Sequence, residues 1–130
     1  MKKVIIETNF LMIPFQLKVD IFSEIERIVN HAYETCVIDK TIDELKKILE
    51  NERGKTKQAA KFALSLIEKK KLKIIKTLDD KKDADDEIIS IAKKEDCIVA
   101  TQDKLLKERL KLLKRKVIIL RQKRYLEINY

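Results

Sequence analysis

A regular alternation of short apolar runs and longer amphipathic segments is the feature that most constrains how this chain can fold. The short runs predict buried strands at residues 4–6, 35–38, 72–75, 97–100 and 117–120. The amphipathic segments predict helices at about residues 18–29, from Thr41 onward, and at about 56–69, 83–95 and 104–113. This alternation is typical of βαβ units with right-handed crossovers, which build a mainly parallel sheet with helices on both faces. The carboxyl ends of its strands meet at one edge, where ligands bind.

Length and composition favour one ordered domain, residues 1–130, with 121–130 as an edge strand or a tail. One Gly and one Pro in 130 residues argue against a loop-rich chain. The two cysteines, Cys36 and Cys97, lack metal-type spacing and fall in apolar runs, which predicts buried free thiols. Because we find neither a signal-peptide pattern nor an apolar stretch of about 20 residues, we expect a cytoplasmic protein.

The net charge of +8 is concentrated near the carboxyl end of the chain. Residues 104–124 contain ten Lys or Arg and one acidic residue, Glu108, so this segment alone carries +9. A basic segment of this kind favours a polyanionic partner, because neutralising phosphates releases counterions. The alternative is a solvated helix face with no partner.

Carboxylates stand where this architecture would bring them together. Glu7 follows the first predicted strand, Glu44 lies in the first turn of the helix after the second, and Asp103 follows the fourth. Asp85 and Asp86 open the helix before the fourth strand. Converging carboxylates repel one another unless a cation lies between them, and oxygen ligands suit Mg²⁺ or Mn²⁺. The spacing therefore predicts a divalent metal site.

Most of these acids also have a structural interpretation. Thr41 and Glu44 match a capping box, and the aspartates in residues 83–86 could complement a helix dipole. Asp103 could cap the helix that begins at the next residue. Glu7 has no obvious capping role, because it directly follows a buried apolar strand. Both interpretations stay open for the other acids.

Several motifs resemble those of the PIN-domain family across about residues 4–125. Residues 4–11, Val-Ile-Ile-Glu-Thr-Asn-Phe-Leu, resemble the opening motif, a strand followed by Asp-Thr-Asn and an apolar pair. Residues 99–106, Val-Ala-Thr-Gln-Asp-Lys-Leu-Leu, resemble the closing motif, a strand followed by Thr-x-Asp and a basic helix. Asp86-Glu87-Ile88-Ile89 with Ala92, and Glu44-Leu45, fit the two motifs between them. Residues 9–16 and 19–22 are more similar to archaeal PIN proteins allied to ribosomal-RNA processing nucleases than to VapC toxins.

The resemblance implies a three-layer α/β/α fold with a mainly parallel five-stranded sheet and a metal-dependent endoribonuclease activity. The acidic metal ligands that it implies are Glu7, Glu44, Asp86 and Asp103, with Asp85 as the rival of Asp86. The hydroxyl or amide groups that it implies as orienting supports are Thr8, Asn9 and Thr101. RNA is the implied partner. The apolar region of residues 10–22 could support homodimerisation.

Position 7 departs from the family pattern, because it carries Glu where the family has Asp. The longer side chain places its carboxylate about one carbon–carbon bond further out, and catalytic geometry tolerates errors of only about half an ångström. Three functions are therefore compatible with the sequence. They are a metal-dependent endoribonuclease acting in ribosomal-RNA processing, a weakly active or inactive RNA-binding module of ribosome assembly, and a VapC-type toxin ribonuclease.

Overall fold

The secondary structure follows the predicted alternation of strands and helices, with three additions near the two ends. The computed structural model describes residues 1–77 and 79–129. The strands are β1 (Lys2–Ile6), β2 (Tyr33–Ile38), β3 (Lys73–Ile75), β4 (Cys97–Ala100), β5 (Lys116–Arg121) and β6 (Tyr125–Asn129). The helices are α1 (Thr8–Leu11), α2 (Ile13–Leu17), α3 (Ile21–Ile28), α4 (Asp39–Asn51), α5 (Gly54–Lys69), α6 (Ala84–Lys94) and α7 (Lys104–Leu112).

The strands form one sheet in the order β3-β2-β1-β4-β5-β6. The first five strands pair in parallel, as predicted, and β6 pairs antiparallel with β5. The sheet therefore has six strands rather than five. The segment 121–130 supplies the additional edge strand, whose tight turn uses Gln122 and Lys123 at positive φ, while Tyr130 lies outside the described residues.

Alternate residues of the central strands bury into opposite faces of the sheet, so the predicted three-layer α/β/α architecture is confirmed. Val4 and Ile6 join a core with α1 to α5, whereas Ile5 joins a second core with α6 and α7. Cys36 and Cys97 are buried free thiols in this second core, and burial raises the pKa of each to about 11. Both thiols are therefore protonated near neutral pH.

Helix boundaries differ from the predictions where local backbone conformation intervenes. The predicted helix at 18–29 begins instead at Ile21, because Lys18 adopts a left-handed conformation (φ 59°) that ends α2. Asp20 caps α3 by accepting a hydrogen bond from the Ser23 amide at 3.1 Å. The helix expected from Thr41 begins two residues earlier, at Asp39.

Within the described ranges, 1–77 and 79–129, no helix has the length and apolar character needed to cross a membrane.

Candidate active site

The ends of β1 and β4 bring the opening and closing motifs together. These strands are parallel neighbours, and the Glu7 amide donates to the Ala100 carbonyl at 3.0 Å. The buried Thr101 then links two acids: its hydroxyl lies 3.4 Å from Glu7 Oε1 and accepts a hydrogen bond from the Asp103 amide at 3.0 Å. Thr101 thus fixes the relative position of the two chain segments that carry Glu7 and Asp103.

Glu7 is buried, with 7% of its surface exposed, and it has a capping role that the sequence did not reveal. It is the N-cap of α1, and its Oε2 accepts a hydrogen bond from the Asn9 amide at 3.0 Å. The expectation that Glu7 has no capping role was wrong, because the four-residue helix α1 is too short to be recognised by its periodicity. The side chain of Asn9 itself is exposed.

Glu44 faces Thr8 and takes no part in a capping box. The N-cap of α4 is Ile38, which makes no side-chain capping bond. The Thr8 hydroxyl donates to Glu44 Oε1 at 2.5 Å and lies 3.0 Å from the hydroxyl of the buried Thr41. The capping-box interpretation was wrong because α4 begins before Thr41, which places Glu44 in the second turn.

The two adjacent aspartates of α6 point in different directions. Asp83 is the N-cap, and its Oδ1 accepts from the Asp86 amide at 2.8 Å. The Asp86 carboxylate pairs with Arg109 of α7 at 3.0 Å, whereas Asp85 interacts electrostatically with Glu7. Successive residues of a helix are turned about 100° apart, so only one of the pair can face Glu7. That residue is Asp85.

Burial and like charge both act on the acids at this edge. Burial raises the pKa of the Glu7 carboxyl above its ordinary value of 4.5, against the opposing effect of the Asn9 amide. Neighbouring carboxylates raise that pKa further; they are Asp85, Glu44 and Asp103. Burial likewise raises the pKa of Asp85, and Asp103 raises it further while Arg109 opposes the shift. We call Glu7, Glu44, Asp85 and Asp103 the acidic cluster.

The carboxylates of the acidic cluster have the right chemistry for a metal ion but do not converge on one point. Among the described residues, no three His, Cys, Asp or Glu side chains are positioned closely enough to hold an ion without moving. The donor chemistry nevertheless fits a hard divalent cation, because the charged groups named above around the buried Glu7 are all carboxylates. Binding of one ion by three of these acids therefore requires their carboxylate oxygens to move closer together.

Hydrogen bonding occupies only some of the carboxylate oxygens of the acidic cluster. Asp103 caps α7 with Oδ1, which accepts from the Leu106 amide at 2.8 Å, and Glu44 uses Oε1 for Thr8. Within the described part of the chain, Asp103 Oδ2, Glu44 Oε2 and both oxygens of Asp85 make no hydrogen bond. These hydrogen bonds orient Asp103 and Glu44 and leave one oxygen of each without a partner, whereas both oxygens of Glu7 are engaged, by the Asn9 amide and the Thr101 hydroxyl.

Sequence reasoning missed two residues that border this site. Thr41 is buried beside Thr8, and Arg109 pairs with Asp86. A hydroxyl three residues before Glu44 was visible in the sequence but was assigned to a cap. The pairing of Arg109 with α6 carries no local signal, because the two residues lie 23 positions apart on different helices.

Comparisons with known proteins identify the family. Residues 4–123 match the family model described as "PIN like domain". The chain is 38% identical to Ribonuclease VapC4 of Methanocaldococcus jannaschii over 132 aligned positions, covering 98% of this chain and 97% of that protein. It is 32% identical to Ribonuclease VapC9 of Archaeoglobus fulgidus over 108 positions, covering 82% and 74% respectively.

A solved structure, described as the PIN domain endonuclease Utp24, superposes with a TM-score of 0.81 over 98% of this chain and 90% of that one. At 23% identity this likeness shows a shared fold. The two relatives found by sequence are both named as VapC ribonucleases. Residues 9–16 and 19–22 had instead predicted a greater similarity to PIN proteins allied to ribosomal-RNA processing nucleases than to VapC toxins. The family assignment itself agrees with the opening and closing motifs, and the chain belongs to the PIN-like domain family.

Proposed function

We propose that this protein is a divalent-metal-dependent endoribonuclease that hydrolyses RNA phosphodiester bonds at the acidic cluster. The observation that carries the proposal is the burial of Glu7 beside three further carboxylates at the strand ends. Glu44 and Asp103 are exposed and Asp85 is half-buried, so Glu7 is the member that carries the cost of burial. Like charges gathered around a buried carboxyl are typical of functional sites. The names of the two sequence relatives, both ribonucleases, support RNA as the substrate.

Each acid of the cluster has a distinct role in this proposal. Glu7, Asp85 and Asp103 hold the ion, which is Mg²⁺ or Mn²⁺, and Glu44 completes the set or positions a water. We assign this role to Asp85 instead of Asp86, because Arg109 engages Asp86. When bound, such a cation polarises a phosphodiester and lowers the pKa of a water.

The hydroxyl groups orient the acids. Thr101 holds Glu7 and the backbone of Asp103, so it keeps the two strand ends in register. Thr8 holds Glu44 through its hydroxyl, and the Asn9 amide holds Glu7. Fixing carboxylates in this way lowers the entropic cost of assembling a metal site.

The basic carboxyl-terminal segment contributes cations for the RNA backbone, but the fold uses part of it internally. Arg109 pairs with Asp86, Arg121 pairs with Glu127, and Arg115 donates to the Ala92 carbonyl. A cavity of about 140 Å³ beside α7 is lined by Lys104, Lys107, Glu108, Lys111, Arg115, Val117 and Asn129. These lysines follow Asp103 along one helix and are suited to phosphate neutralisation.

The proposal is tested by RNA cleavage with Mn²⁺ and by its loss in EDTA. Asp103→Asn is the sharpest variant, because Asn is also a good N-cap and should preserve α7. We expect cleavage to fall by at least about 100-fold with little change in Tm, since a metal ligand is lost. Equal cleavage by this variant and the wild type would remove Asp103 from the proposed site.

An RNA-binding module with little turnover is the second candidate, and the Glu at position 7 favours it. Its longer side chain caps α1, which restricts where the second carboxylate oxygen can go. We expect Glu7→Asp to increase Mn²⁺-dependent cleavage if Glu7 limits turnover. If both proteins cleave RNA equally well, the length of the side chain at position 7 does not limit turnover.

Ribosomal RNA is the substrate class we propose, on the likeness of residues 9–16 to ribosomal-RNA processing nucleases. A VapC-type toxin ribonuclease is the alternative, favoured by the names of the two relatives. Controlled expression in a bacterial host distinguishes them: a toxin should arrest growth in a manner that Asp103→Asn relieves, whereas a processing enzyme should cleave precursor ribosomal RNA without growth arrest.

Homodimerisation remains a prediction. Phe10 and Leu11 are buried in the chain's own core, and the Phe15 and Phe62 rings pack together with centroids 6.0 Å apart. Leu17, the last residue of α2, is 37% exposed. Sedimentation of the purified protein would measure the oligomeric state directly.

A further inference from the structure

A second charged region lies beside α6, outside the acidic cluster. It is a cavity of about 330 Å³, which we call the lysine cavity. Its lining residues are Lys76, Thr77, Asp79, Lys82, Glu87, Ser90, Ile91, Lys93 and Lys94. Four lysines from three chain segments thus surround one cavity, although only Lys93 and Lys94 are neighbours in sequence.

The acids of the lysine cavity are already engaged by the protein. Asp79 accepts a hydrogen bond from the Lys81 amide at 2.9 Å, and the buried Glu87 lies 3.6 Å from the ammonium of Lys40. Lys82 donates to Ser90 at 3.1 Å. The other three lysines, Lys76, Lys93 and Lys94, form no ion pair or hydrogen bond within residues 1–77 and 79–129.

The lysine cavity begins near the same sheet edge as the acidic cluster, at Thr77 and Asp79, and extends along α6 to Lys93 and Lys94, which precede the start of β4. Asp39, directly after β2, accepts from the amide and the hydroxyl of Thr77, at 3.1 and 2.7 Å, at the end of β3. Lys40 donates to the carbonyls of Asp79 and Lys82 and so holds the loop that leads to α6. One helix, α6, carries Asp85 at its start and Lys94 at its end, about 14 Å apart along the axis at ~1.5 Å per residue.

The unpaired ammonium groups around the lysine cavity are suited to binding an anion, just as the carboxylates of the acidic cluster are suited to binding a cation. Glu87 pairs with Lys40 and Asp79 accepts from a backbone amide, so neither carboxylate forms an ion pair with Lys76, Lys93 or Lys94 among the described residues. A phosphate group supplies compact negative charge and several acceptor oxygens, which three ammonium groups can share. One RNA strand lying along α6 would reach both regions.

We propose that the lysine cavity is a phosphate subsite that holds the RNA backbone on the β3 side of the acidic cluster. This inference rests on the proposed ribonuclease function. The lysine cavity would be a second contact surface for RNA. The helix α6 and the acidic cluster separate this surface from the basic face of α7. The ligand is the RNA phosphodiester backbone, with free inorganic phosphate as the alternative source of the same group.

The test is the affinity of a fluorescent single-stranded oligoribonucleotide, measured by anisotropy in EDTA so that no cleavage occurs. We expect Lys76→Ala/Lys93→Ala/Lys94→Ala to weaken binding by about 10-fold or more. The slope of log affinity against log salt should also fall by about 2, since each lost contact to a single strand contributes about 0.7. The matched control is Lys55→Ala/Lys57→Ala/Lys61→Ala, which removes the same charge from exposed positions of α5 on the other face of the sheet.

Equal losses in the two triple variants would overturn the subsite, because only net charge would then matter. The subsite as proposed would also be overturned if inorganic phosphate raised the Tm of the wild type in a Lys94-dependent way while RNA affinity stayed unchanged. The single variant Lys94→Glu keeps the test valid if the triple variant folds poorly; it should weaken RNA binding more than Lys61→Glu does.

Failure of the proposed function has a different signature. A wild type that neither binds RNA in EDTA nor cleaves it with Mn²⁺ would refute the ribonuclease proposal as a whole. A wild type that binds and cleaves RNA, alongside a cavity variant indistinguishable from its control, would refute the subsite alone.

Discussion

The acidic cluster and the lysines of the lysine cavity are two groups of like charges beside α6, and only the acidic cluster has a buried member. Glu7, at the centre of the cluster, is 7% exposed, whereas Lys76, Lys93 and Lys94 are exposed to solvent. Repulsion between buried charges is strong because the surrounding dielectric is low. Exposed charges are screened by water and salt. Substitutions in the two groups should therefore change different measurable properties of the protein.

For the acidic cluster we expect effects on proton and metal binding, and for the lysine cavity effects on salt-dependent RNA affinity. The raised pKa values of Glu7 and Asp85 express the cost of burial, and a cation removes that cost. Among the described residues, the ammonium groups of Lys76, Lys93 and Lys94 form no ion pair. Their effect on stability should therefore be small, since surface charges contribute little.

The largest expected effect in the acidic cluster is the difference between Asp85→Asn and Asp86→Asn. Asp85→Asn should weaken Mn²⁺ binding by roughly 10- to 100-fold or more, because it removes a carboxylate coupled to Glu7. Asp86→Asn removes only an exposed pair with Arg109 and should change the affinity less than about threefold. Calorimetric Mn²⁺ titration checks both, and the reverse order would restore Asp86 as the ligand.

A smaller effect, on stability, is expected from substitution of Lys40, which contacts both the loop before α6 and Glu87. Lys40→Met should destabilise the protein by about 2 kcal/mol, because two carbonyls of the 79–82 loop and the buried Glu87 lose their cationic partner. Adding Glu87→Gln should recover part of this loss by removing the unpaired charge. Urea denaturation of the single and double variants measures the coupling. Additive losses would mean that Lys40 and Glu87 do not interact.

The smallest expected effect is the pH dependence of stability contributed by Glu7. Its pKa is raised in the folded state, so the folded protein binds the proton more tightly than the unfolded chain. The destabilisation therefore develops as pH rises from about the ordinary value of 4.5 through the raised pKa, and it is complete above that pKa. Glu7→Gln should raise the Tm at pH 7 in EDTA, and the gain should vanish below pH 4.

The Gln side chain keeps an oxygen for the Asn9 amide, so the cap of α1 should survive. Saturating Mn²⁺ should stabilise the wild type and reverse the order of the two proteins, since only the carboxylate binds the ion well. A Glu7→Gln protein that is less stable at pH 7 in EDTA would show that the charge of Glu7 is compensated by the fold.

Much of the fold followed from local pattern. The strand Cys97–Ala100 and the start of α7 at Lys104 lie where periodicity predicted them. The segment Thr8–Leu17 was not predicted to be helical, because two short helices joined at Met12 present too few residues for a 3.6-residue period. The same failure hid the capping role of Glu7. Short elements are determined by their tertiary packing more than by their own sequence.

Candidate residues of the site were predictable as a set but not in their orientation. The motifs pointed to both aspartates of α6, and only the packing of α6 against α7 separated Asp85 from Asp86. The basic segment 104–124 was visible as a charge block. The lysine cavity was not, because its lysines come from β3, a loop and α6.

By itself, the sequence determined the class of fold, the family and the acids available for a metal site. These follow from hydrophobic period and short motifs, which depend on neighbouring residues. Only the tertiary structure decided which carboxylate faces Glu7, which caps are made, and which lysines share a cavity. Such relations join residues distant in the chain, and they depend on how helices rotate and pack against the sheet, which no local pattern encodes.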